Sequence, residues 1–376
     1  MSGSEAPGLY IHIPFCRSRC GYCTFASGVY SAETADTYLT ALLQEIAAKD
    51  ITEPSTIFIG GGTPTVLSPD QLDRLLSSLP RPGVGAEFTC EVNPDTATRE
   101  KLSLLKSHGV NRLSFGVQTF SPDGLRLLGR CHDDRTAIAA VELALEMGFP
   151  AVNLDLIHGW PGQDTASLIN DLKQAVALGV NHLSTYSLIL DESVPRYDVF
   201  INLLGSEETD SERFAEFFQI SHEFLSGSGF DHYETSNYAN PGYACQHNRN
   251  IWRGGEYWGV GLAAHSHRSR RRYANTANMA EYLEGAGNPA RLEVFTETLD
   301  PETKARETAV FWLRLYEGIE LDRFKKLTGF DFLTLYQDIA QGLLTKGWLD
   351  YSPDKRFIRV PLRYQPILDT ILVDLV

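Results

Sequence analysis

Three cysteines lie within eight residues near the start of the chain. They are Cys16, Cys20 and Cys23, in a C-x3-C-x2-C spacing. Thiolates bind soft metals and iron–sulfur clusters strongly in a reducing cell, so this spacing predicts a metal-centred function. Structural zinc usually takes four protein ligands, whereas three thiolates leave one iron of a 4Fe-4S cluster open to another ligand. A zinc site and three unrelated core cysteines are the alternatives.

A run of glycines forms the second group of residues that could do chemistry. Gly60, Gly61 and Gly62 precede Thr63 and follow a predicted strand. Because glycine has no Cβ, the backbone groups of this loop could approach a ligand closely. A triple glycine alone predicts only a tight turn. Its place after the second strand, when the first strand leads to the three cysteines, favours a ligand-binding loop beside the metal site.

Polar side chains lie at or near the ends of the next predicted strands. Glu91, Gln118 and Asp155 could accept hydrogen bonds from hydroxyl or ammonium groups of a ligand, and Arg130 could offset a carboxylate. Tyr22 could cover an apolar pocket around a cluster. For each of these polar residues taken alone, a structural role is an equally good interpretation.

Composition limits the class of protein. The chain has 376 residues, 43% of them hydrophobic, which is enough for one large α/β domain and a smaller one. Its net charge of -15 disfavours sequence-independent binding to nucleic acid. The remaining cysteines, Cys90, Cys131 and Cys245, are scattered, which indicates a reducing cytosol. The absence of a signal-like start or a long apolar run predicts a soluble cytoplasmic protein with at most peripheral membrane contact.

The elements that must position these residues follow a strand–helix alternation. Such alternation with right-handed crossovers predicts an α/β fold with a parallel sheet. When strands and helices alternate to form a parallel barrel, active-site groups collect at the carboxyl ends of the strands. The cysteines, glycines and acids lie at these ends. The predicted strands span 10–13, 56–60, 87–92, 112–117, 151–157 and 182–190. The predicted helices between them span 34–49, 69–78, 99–107, 135–147 and 166–178.

The pattern changes near Asp300. Helices are predicted there over 302–316, 321–327 and 332–346, followed by a hairpin of 349–351 and 357–360. Helices followed by a hairpin indicate a small winged-helix-like unit. We therefore predict a core over 1–235, a connecting region over 236–299 and a C-terminal domain over 300–376.

Several segments together carry a resemblance to a known family. Beside the cysteine spacing they are, in single-letter code, YIHIPFC at 10–16, GGGTPT at 60–65, SFGVQTF at 114–120, NLDLIHGWPGQ at 153–163 and YETSNYA at 233–239. They resemble the radical S-adenosylmethionine (radical SAM) superfamily and, within it, the HemN/HemW group, over nearly the whole chain. The resemblance implies a partial, TIM-like (βα)6 barrel with a small helical C-terminal domain. It also implies a 4Fe-4S cluster whose free iron chelates SAM and, when reduced, splits it to a 5'-deoxyadenosyl radical.

The resemblance also implies roles for individual residues. Cys16, Cys20 and Cys23 would bind the cluster, which needs a reductant, and Tyr22 would lie beside the adenine of SAM. HemN binds two SAM molecules, and the number bound here is left open. The positions that match SAM contacts are Tyr10, Gly61, Gly62, Thr63, Glu91, Gln118, Arg130 and Asp155.

Two features separate the branches of the group. HemN has a further cysteine two positions beyond its triplet, whereas Cys23 is followed by Thr24 and Phe25. HemN also has a longer stretch before its cysteines than the fifteen residues that precede Cys16. Both features favour the HemW side, which predicts a haem chaperone that binds a cluster, SAM and haem and delivers haem to client proteins. The alternative is an oxygen-independent coproporphyrinogen III oxidase, which forms protoporphyrinogen IX by radical chemistry, and either a monomer or a homodimer is compatible with the sequence.

A segment near residue 250 is similar to the H-N-x-x-Y-W motif that HemW-type proteins associate with haem. It runs from His247 to Trp252, with Ile251 in place of tyrosine. An imidazole is a good axial ligand for haem iron, and the indole could pack on the macrocycle. The alternative is that His247 and Trp252 only stabilise the fold. The nearby basic run, Arg268 and 270–272, could pair with propionates or form a solvated face.

Overall fold

The structure is a computed structural model that describes residues 6–204 and 207–375. Its strands are β1 Gly8–Ile13, β2 Phe15–Cys16, β3 Gly28–Val29, β4 Thr56–Gly61, β5 Glu87–Val92, β6 Arg112–Gln118, β7 Ala151–His158, β8 His182–Ser187, β9 Asp231–Glu234, β10 Asn237–Ala239, β11 Tyr257–Val260, β12 His265–Arg268, β13 Arg271–Asn275, β14 Glu293–Thr298, β15 Ile319–Glu320, β16 Asp350–Tyr351 and β17 Phe357–Arg359. Its α-helices are α1 Ala32–Ala48, α2 Pro69–Ser77, α3 Arg99–Ser107, α4 Pro122–Leu128, α5 Asp134–Glu146, α6 Thr165–Ala177, α7 Tyr197–Leu204, α8 Glu207–Gly227, α9 Gln246–Trp252, α10 Met279–Gly285, α11 Pro301–Trp312, α12 Leu321–Thr328, α13 Phe332–Thr345 and α14 Leu368–Val373.

One sheet of the described residues organises the fold. Its strand order is β14-β13-β12-β11-β1-β4-β5-β6-β7-β8-β10-β9, and the seven strands from β11 to β8 pair in parallel. Helices α1, α2, α3, α5 and α6 connect the successive parallel strands. The carboxyl ends of these strands therefore meet at one edge of the sheet. The predicted α/β fold with six strand–helix units is confirmed.

The outer strands β11 to β14 were not predicted from the sequence. β11 pairs with β1 in parallel, with Leu9 opposite Trp258, and β12 to β14 continue the sheet beyond it. β11 and β12 have four residues each, too few to give a clear alternation. The prediction of a strand over 182–190 was too long. β8 ends at Ser187, which pairs with His158, the last residue of β7.

The larger hydrophobic core lies against the parallel strands. Side chains such as Leu9, Ile57 and Leu113 are fully buried, and apolar residues alternate with polar ones along β5 to β8. Near-continuous burial is typical of a parallel sheet covered on both faces. The buried polar residues of these strands need hydrogen-bond partners, and several of them line the cavity described below.

A second core lies in the C-terminal part, around Trp312, Phe324 and Phe332. Helices α11 to α13 and the three-stranded sheet β15-β17-β16 surround it, which is a winged-helix-like arrangement. The sequence analysis missed β15, which has only two residues. The division at residues 235 and 299 stays a prediction, and β10 to β14 of the connecting region belong to the main sheet. Over residues 6–204 and 207–375, no helix is long and apolar enough to cross a membrane.

Candidate cofactor-binding site

A cavity of about 340 Å³ opens at the carboxyl ends of the parallel strands. All three cysteines of the triplet line it, and their thiols are free of disulfides. Backbone hydrogen bonds fix the cysteine loop, since Gly21 N–H donates to the Leu128 carbonyl at 3.0 Å and Tyr30 N–H to the Cys16 carbonyl at 2.9 Å. The loop that carries the thiols is therefore anchored to its neighbours at both ends.

The thiols are half-buried and have hydrogen-bond donors beside them. Burial raises the pKa of Cys16 and of Cys23. The Thr63 hydroxyl donates to Cys16 Sγ at 3.7 Å, and Arg130 Nη1 donates to Cys20 Sγ at 3.2 Å. Donors of this kind stabilise the negative charge of cluster thiolates and influence the cluster potential. The donor set therefore fits a 4Fe-4S cluster with one open iron.

The arrangement of the thiols differs from that of a site for one ion. Among residues 6–204 and 207–375, no three side chains of metal-ligand type converge tightly enough to hold a single metal ion. In a 4Fe-4S cluster each thiolate binds a different iron, so the ligands need not converge on one point. The geometry is compatible with a cluster in this loop.

The glycine loop forms one wall of the cavity and has no room for side chains. A Cβ on Gly61 would lie 2.4 Å from the His12 ring, and a Cβ on Gly62 would lie 2.5 Å from the Phe15 carbonyl oxygen. Gly61 also has a φ of +102°, a conformation that favours glycine. The loop therefore presents bare backbone to the cavity, which fits the close approach of a ligand such as SAM.

Two acidic side chains, Glu91 and Asp155, line the cavity opposite the cysteines. Gly61 N–H donates to Glu91 Oε2 at 3.1 Å, and Asp155 accepts from Ser114 Oγ at 3.2 Å and from Asn153 Nδ2 at 2.8 Å. Burial, and then the charge of Asp155, raise the pKa of Glu91 to about 8. Burial also raises the pKa of Asp155. A ligand with a positive group would relieve this unfavourable pair, and SAM carries an ammonium and a sulfonium.

Arg130 ties the cysteine loop to the ends of the neighbouring strands. Its Nη2 donates to Asn93 Oδ1 at 2.8 Å and to the Gly116 carbonyl, while Nη1 lies 3.4 Å from the Tyr22 hydroxyl. The guanidinium thus holds Tyr22 at the cavity, where the sequence analysis placed it. Gln118 also lines the cavity and has a φ of +73°, which is unusual for a residue with a side chain and common at functional sites.

Tyr10 lies outside this cavity. It lines a neighbouring cavity of about 520 Å³, and its hydroxyl lies 3.0 Å from His12 Nδ1. The two cavities share part of their walls, namely Thr24, Phe25, Phe58 and Asn248. A contact between Tyr10 and SAM therefore stays a prediction, whereas Tyr22, Thr63, Glu91, Gln118, Arg130 and Asp155 do line the cavity with the cysteines and with Gly61 and Gly62.

His247 lines the second cavity from the start of α9. Its Nδ1 lies 2.8 Å from Thr56 Oγ1, so Nε2 is the nitrogen that remains for a ligand. The Glu87 carboxylate accepts the backbone N–H of Gln246 at 3.0 Å and that of His247 at 3.1 Å. Burial lowers the pKa of His247 to about 4. The imidazole is therefore neutral near pH 7, the form that binds a metal.

Trp252 lies apart from His247 despite their closeness in sequence. Its ring packs 6.2 Å from the Phe311 ring, and the Arg314 guanidinium lies 5.6 Å from the indole centroid. The side chain belongs to the border of the C-terminal core, whereas Ile251 lines the His247 cavity. This packing favours the structural interpretation of Trp252.

Most arginines of the basic run form ion pairs with glutamates. Arg268 pairs with Glu256 at 2.8 Å, and Arg271 pairs with Glu293. Arg272 is hydrogen-bonded to two glutamates, Glu297 and Glu307. These three arginines therefore form an ion-paired face, and pairing with propionates would require them to exchange partners.

The sequence analysis missed the polar floor of the cysteine cavity. Asn153 Nδ2 donates to Ser114 Oγ at 2.6 Å and to Ser184 Oγ at 3.1 Å, which links three neighbouring strands. Asn93 and Arg112 also line this cavity. The available signal was the alternation of polar and apolar residues along β6 to β8. Their partners could not be assigned, because the pairs form across the sheet.

Comparisons with known proteins agree with this geometry. Residues 10–175 match the Radical SAM superfamily. The heme chaperone HemW of Bacillus subtilis is 36% identical over 354 residues, covering 91% of this chain and 92% of that protein. The heme chaperone HemW of Escherichia coli is 40% identical over 269 residues, covering 68% and 69%. The structure of coproporphyrinogen III oxidase (HemN) from Escherichia coli matches with a TM-score of 0.86 at 24% identity, covering 99% of this chain and 90% of that one, which shows a shared fold. The chain therefore belongs to the HemW family of the radical SAM superfamily.

Proposed function

We propose that this protein is a haem chaperone of the HemW type. It binds a 4Fe-4S cluster through Cys16, Cys20 and Cys23, SAM in the adjoining cavity and haem beside His247, and it transfers haem to client proteins. The observation that carries the proposal is the cavity of about 520 Å³ that contains a neutral histidine and shares a wall with the cysteine cavity. The family of named heme chaperones supports the same function.

Acidic side chains and bare glycine backbone in the cysteine cavity would together hold SAM. When bound and reduced, the cluster supplies the electron for SAM cleavage. Glu91 and Asp155 would face the positive groups of SAM, and the bare backbone of Gly61 and Gly62 would allow its close approach. Arg130 is a positioning residue, because its nitrogens already hold Asn93, Gly116 and the cysteine loop.

The haem site is proposed around His247 Nε2. Phe58 and Ile251 give the cavity apolar walls, and Thr56 fixes the orientation of the imidazole. Apolar walls with one imidazole ligand are a suitable environment for haem. His12 is a poorer candidate ligand, because both of its ring nitrogens have partners, the Tyr10 hydroxyl and the Ala26 carbonyl.

Anaerobic haem titration followed by the Soret band tests this site. We expect His247→Ala to weaken haem binding by roughly tenfold or more, since an axial bond is lost. His108→Ala is the control, because His108 pairs with Asp73 away from both cavities. Thr56→Val should keep the fold and shift the Soret band. Unchanged binding in a folded His247→Ala variant would refute the proposed haem site.

The second candidate function is oxygen-independent coproporphyrinogen III oxidase, which the three cysteines and the adjoining cavity also favour. An anaerobic assay with reconstituted cluster, a reductant, an electron acceptor, SAM and coproporphyrinogen III separates the two functions. We expect no protoporphyrinogen IX, because Thr24 and Phe25 stand where the oxidase branch has a further cysteine. Formation of protoporphyrinogen IX over many turnovers would replace the chaperone proposal.

The setting in the cell is inferred from the chemistry of the site. Three free thiols and an oxygen-sensitive cluster favour the cytoplasm, and the cluster requires a reductant. The net charge of -15 disfavours nucleic acid as a partner. Haem-accepting clients are the expected partners, and peripheral contact with a membrane is compatible with the chain. Size-exclusion chromatography with light scattering distinguishes a monomer from a homodimer.

A further inference from the structure

A third cavity lies where the C-terminal helices meet the end of α9. Its volume is about 710 Å³, larger than either cavity described above. Helices α9, α11 and α12 and the strand β12 contribute residues to it, and we call it the junction cavity. It shares no lining residue with the cysteine cavity or the His247 cavity in the described part of the chain. A ligand there would occupy a site separate from the proposed cofactors.

The lining of the junction cavity is basic in an acidic protein. It contains five cationic residues, which are Arg253, Arg270, Lys304, Arg323 and Lys326. The acidic residues in the lining are Glu256 and Asp322, and Glu256 already pairs with Arg268 at 2.8 Å. The protein as a whole has a net charge of -15, so a cluster of positive residues is not expected from its overall composition.

The carboxylates around the junction cavity do not balance its cations one for one. Glu317 binds both Arg249 at 3.2 Å and Arg253 at 2.6 Å. Glu307 binds Lys304 at 3.1 Å and also pairs with a second cation, Arg272. Arg272 has a second partner, Glu297, but Glu317 serves two cations. Arg270 and Lys326 of the lining have no ion pair within residues 6–204 and 207–375, so positive charge remains in excess. A concave surface of this kind concentrates anions.

His267 adds an unsatisfied buried group to the same cavity. It is 6% exposed, and Nδ1 donates to the Gly255 carbonyl at 3.3 Å, since a carbonyl can only accept. Nε2 has no hydrogen-bond partner among the described residues. Buried polar atoms in folded proteins nearly always have a partner. Because Nε2 has almost no exposed surface, it is an unsatisfied group within the cavity wall and the cations form the binding surface.

The cavity is built into the fold rather than left by loose packing. Gly254 has a φ of +73°, and a Cβ there would lie 2.7 Å from Thr308 Oγ1. A Cβ on Gly255 would lie 2.0 Å from Asn250 Oδ1. These two glycines let the end of α9 lie against α11, which forms one wall of the cavity.

We propose that the junction cavity binds a small polyanion with at least two phosphate or carboxylate groups. The excess of cations would bind the charged groups. The size of the cavity suits a small organic ligand. The proposal concerns binding only and does not depend on the haem or SAM sites.

Isothermal titration of the reconstituted full-length protein with pyrophosphate and, separately, with citrate tests the proposal. We expect saturable binding of at least one probe at low ionic strength, weakening as salt is added. Binding of pyrophosphate alone would identify a phosphate site, and binding of citrate alone a carboxylate site. Arg270→Ala and Lys326→Ala should each weaken binding by roughly tenfold, the usual loss for one charge-assisted hydrogen bond.

A matched control separates the site from general charge effects. Lys173→Ala removes an exposed lysine of α6, outside the junction cavity, and should leave binding unchanged. Thermal unfolding of each variant confirms that it is folded. Two outcomes would overturn the proposal: no saturable binding of either probe, or equal losses in Lys173→Ala and the two cavity variants.

Discussion

Gly61 meets two separate constraints, and a matched glycine meets only one of them. Its φ is +102°, and a Cβ there would lie 2.4 Å from the His12 ring. Gly85 also has a positive φ, +76°, but a Cβ there would have nothing within 4 Å. Comparing the two residues separates the cost of backbone conformation from the need for space at the cavity wall.

We expect Gly61→Ala to weaken SAM binding by roughly tenfold or more, because the loop must move to accommodate the methyl group. Gly85→Ala should keep normal SAM binding and lower the free energy of unfolding by about 1 kcal/mol. Equilibrium dialysis with SAM and thermal unfolding measure the two effects. Equal SAM affinity in both variants would contradict the role given to the glycine loop.

Glu91 gives the cavity a pH dependence. Burial and the charge of Asp155 raise its pKa from 4.5 to about 8, so between these values the folded chain keeps a proton that the unfolded chain releases. This contribution to stability is complete below the unfolded pKa and is lost as the pH rises through about 8. We expect Glu91→Gln, which cannot titrate, to show a smaller fall in the free energy of unfolding than the parent between about pH 5 and about pH 8, measured in urea. An equal fall in both proteins would show that Glu91 does not titrate in this range.

The sequence predicted those residues whose role can be recognised within a short segment of the chain. The cysteine spacing, the glycine run and the acids at strand ends can be recognised without knowing their neighbours. Asn153 and Arg112 could not be assigned, because their roles depend on which strands lie side by side. Trp252 shows the same limit, since the packing of its side chain depends on helix α11, some 50 residues later in the chain.

Several of the predicted helices start at a side-chain cap. Ser68 forms a capping box with Gln71 at the start of α2, and Asp133 and Asp164 cap α5 and α6. These helices begin within one residue of the predicted positions. The N-cap residue of α9, Cys245, makes no side-chain cap. The carboxylate of Glu87, in β5, accepts a hydrogen bond from the start of the helix instead. Such a long-range cap has no local sequence signal.

Glu87 therefore links the sheet to the helix that carries His247. We expect Glu87→Gln to lower the free energy of unfolding by about 1 to 2 kcal/mol, because the helix end loses a negative charge and Arg112, at 3.9 Å, loses its partner. The Soret band of bound haem should also shift, since the backbone of His247 is held by the same carboxylate. Asp164→Asn, at the cap of α6, is the control and should change stability without changing the haem spectrum. A spectrum unaltered by Glu87→Gln would exclude this positioning role.

At the scale of the whole molecule, two hydrophobic cores are joined by specific contacts. A β-bridge pairs Glu234 with Leu315, and Tyr316 N–H donates to the Tyr233 carbonyl at 3.0 Å. Trp252, from α9, also packs against the C-terminal core. The change of pattern near residue 300 predicted the second core, but not the contacts that join it to the first, because those involve residues far apart in the chain.

These contacts predict that the two cores unfold together. Trp312 is 1% exposed and lies in the C-terminal core, so Trp312→Ala should cost about 3 to 5 kcal/mol. We expect a single guanidinium transition, with cluster absorbance and far-ultraviolet circular dichroism changing together. Trp348→Ala is a milder control, because this side chain is only half-buried. A C-terminal transition that leaves the cluster absorbance intact would show that the cores are independent.

The position of β11 beside β1 also affects the order of events during synthesis. β1 leads into the cysteine loop, and its residue Gly8 pairs with Tyr257, about 250 residues later. A ribosome that adds roughly 5 to 20 residues per second needs roughly 12 to 50 seconds to make that stretch. Until then one edge of β1 has no partner strand. The support of the cysteine loop is therefore completed late, and we expect iron and sulfide to be inserted only after β11 has been made.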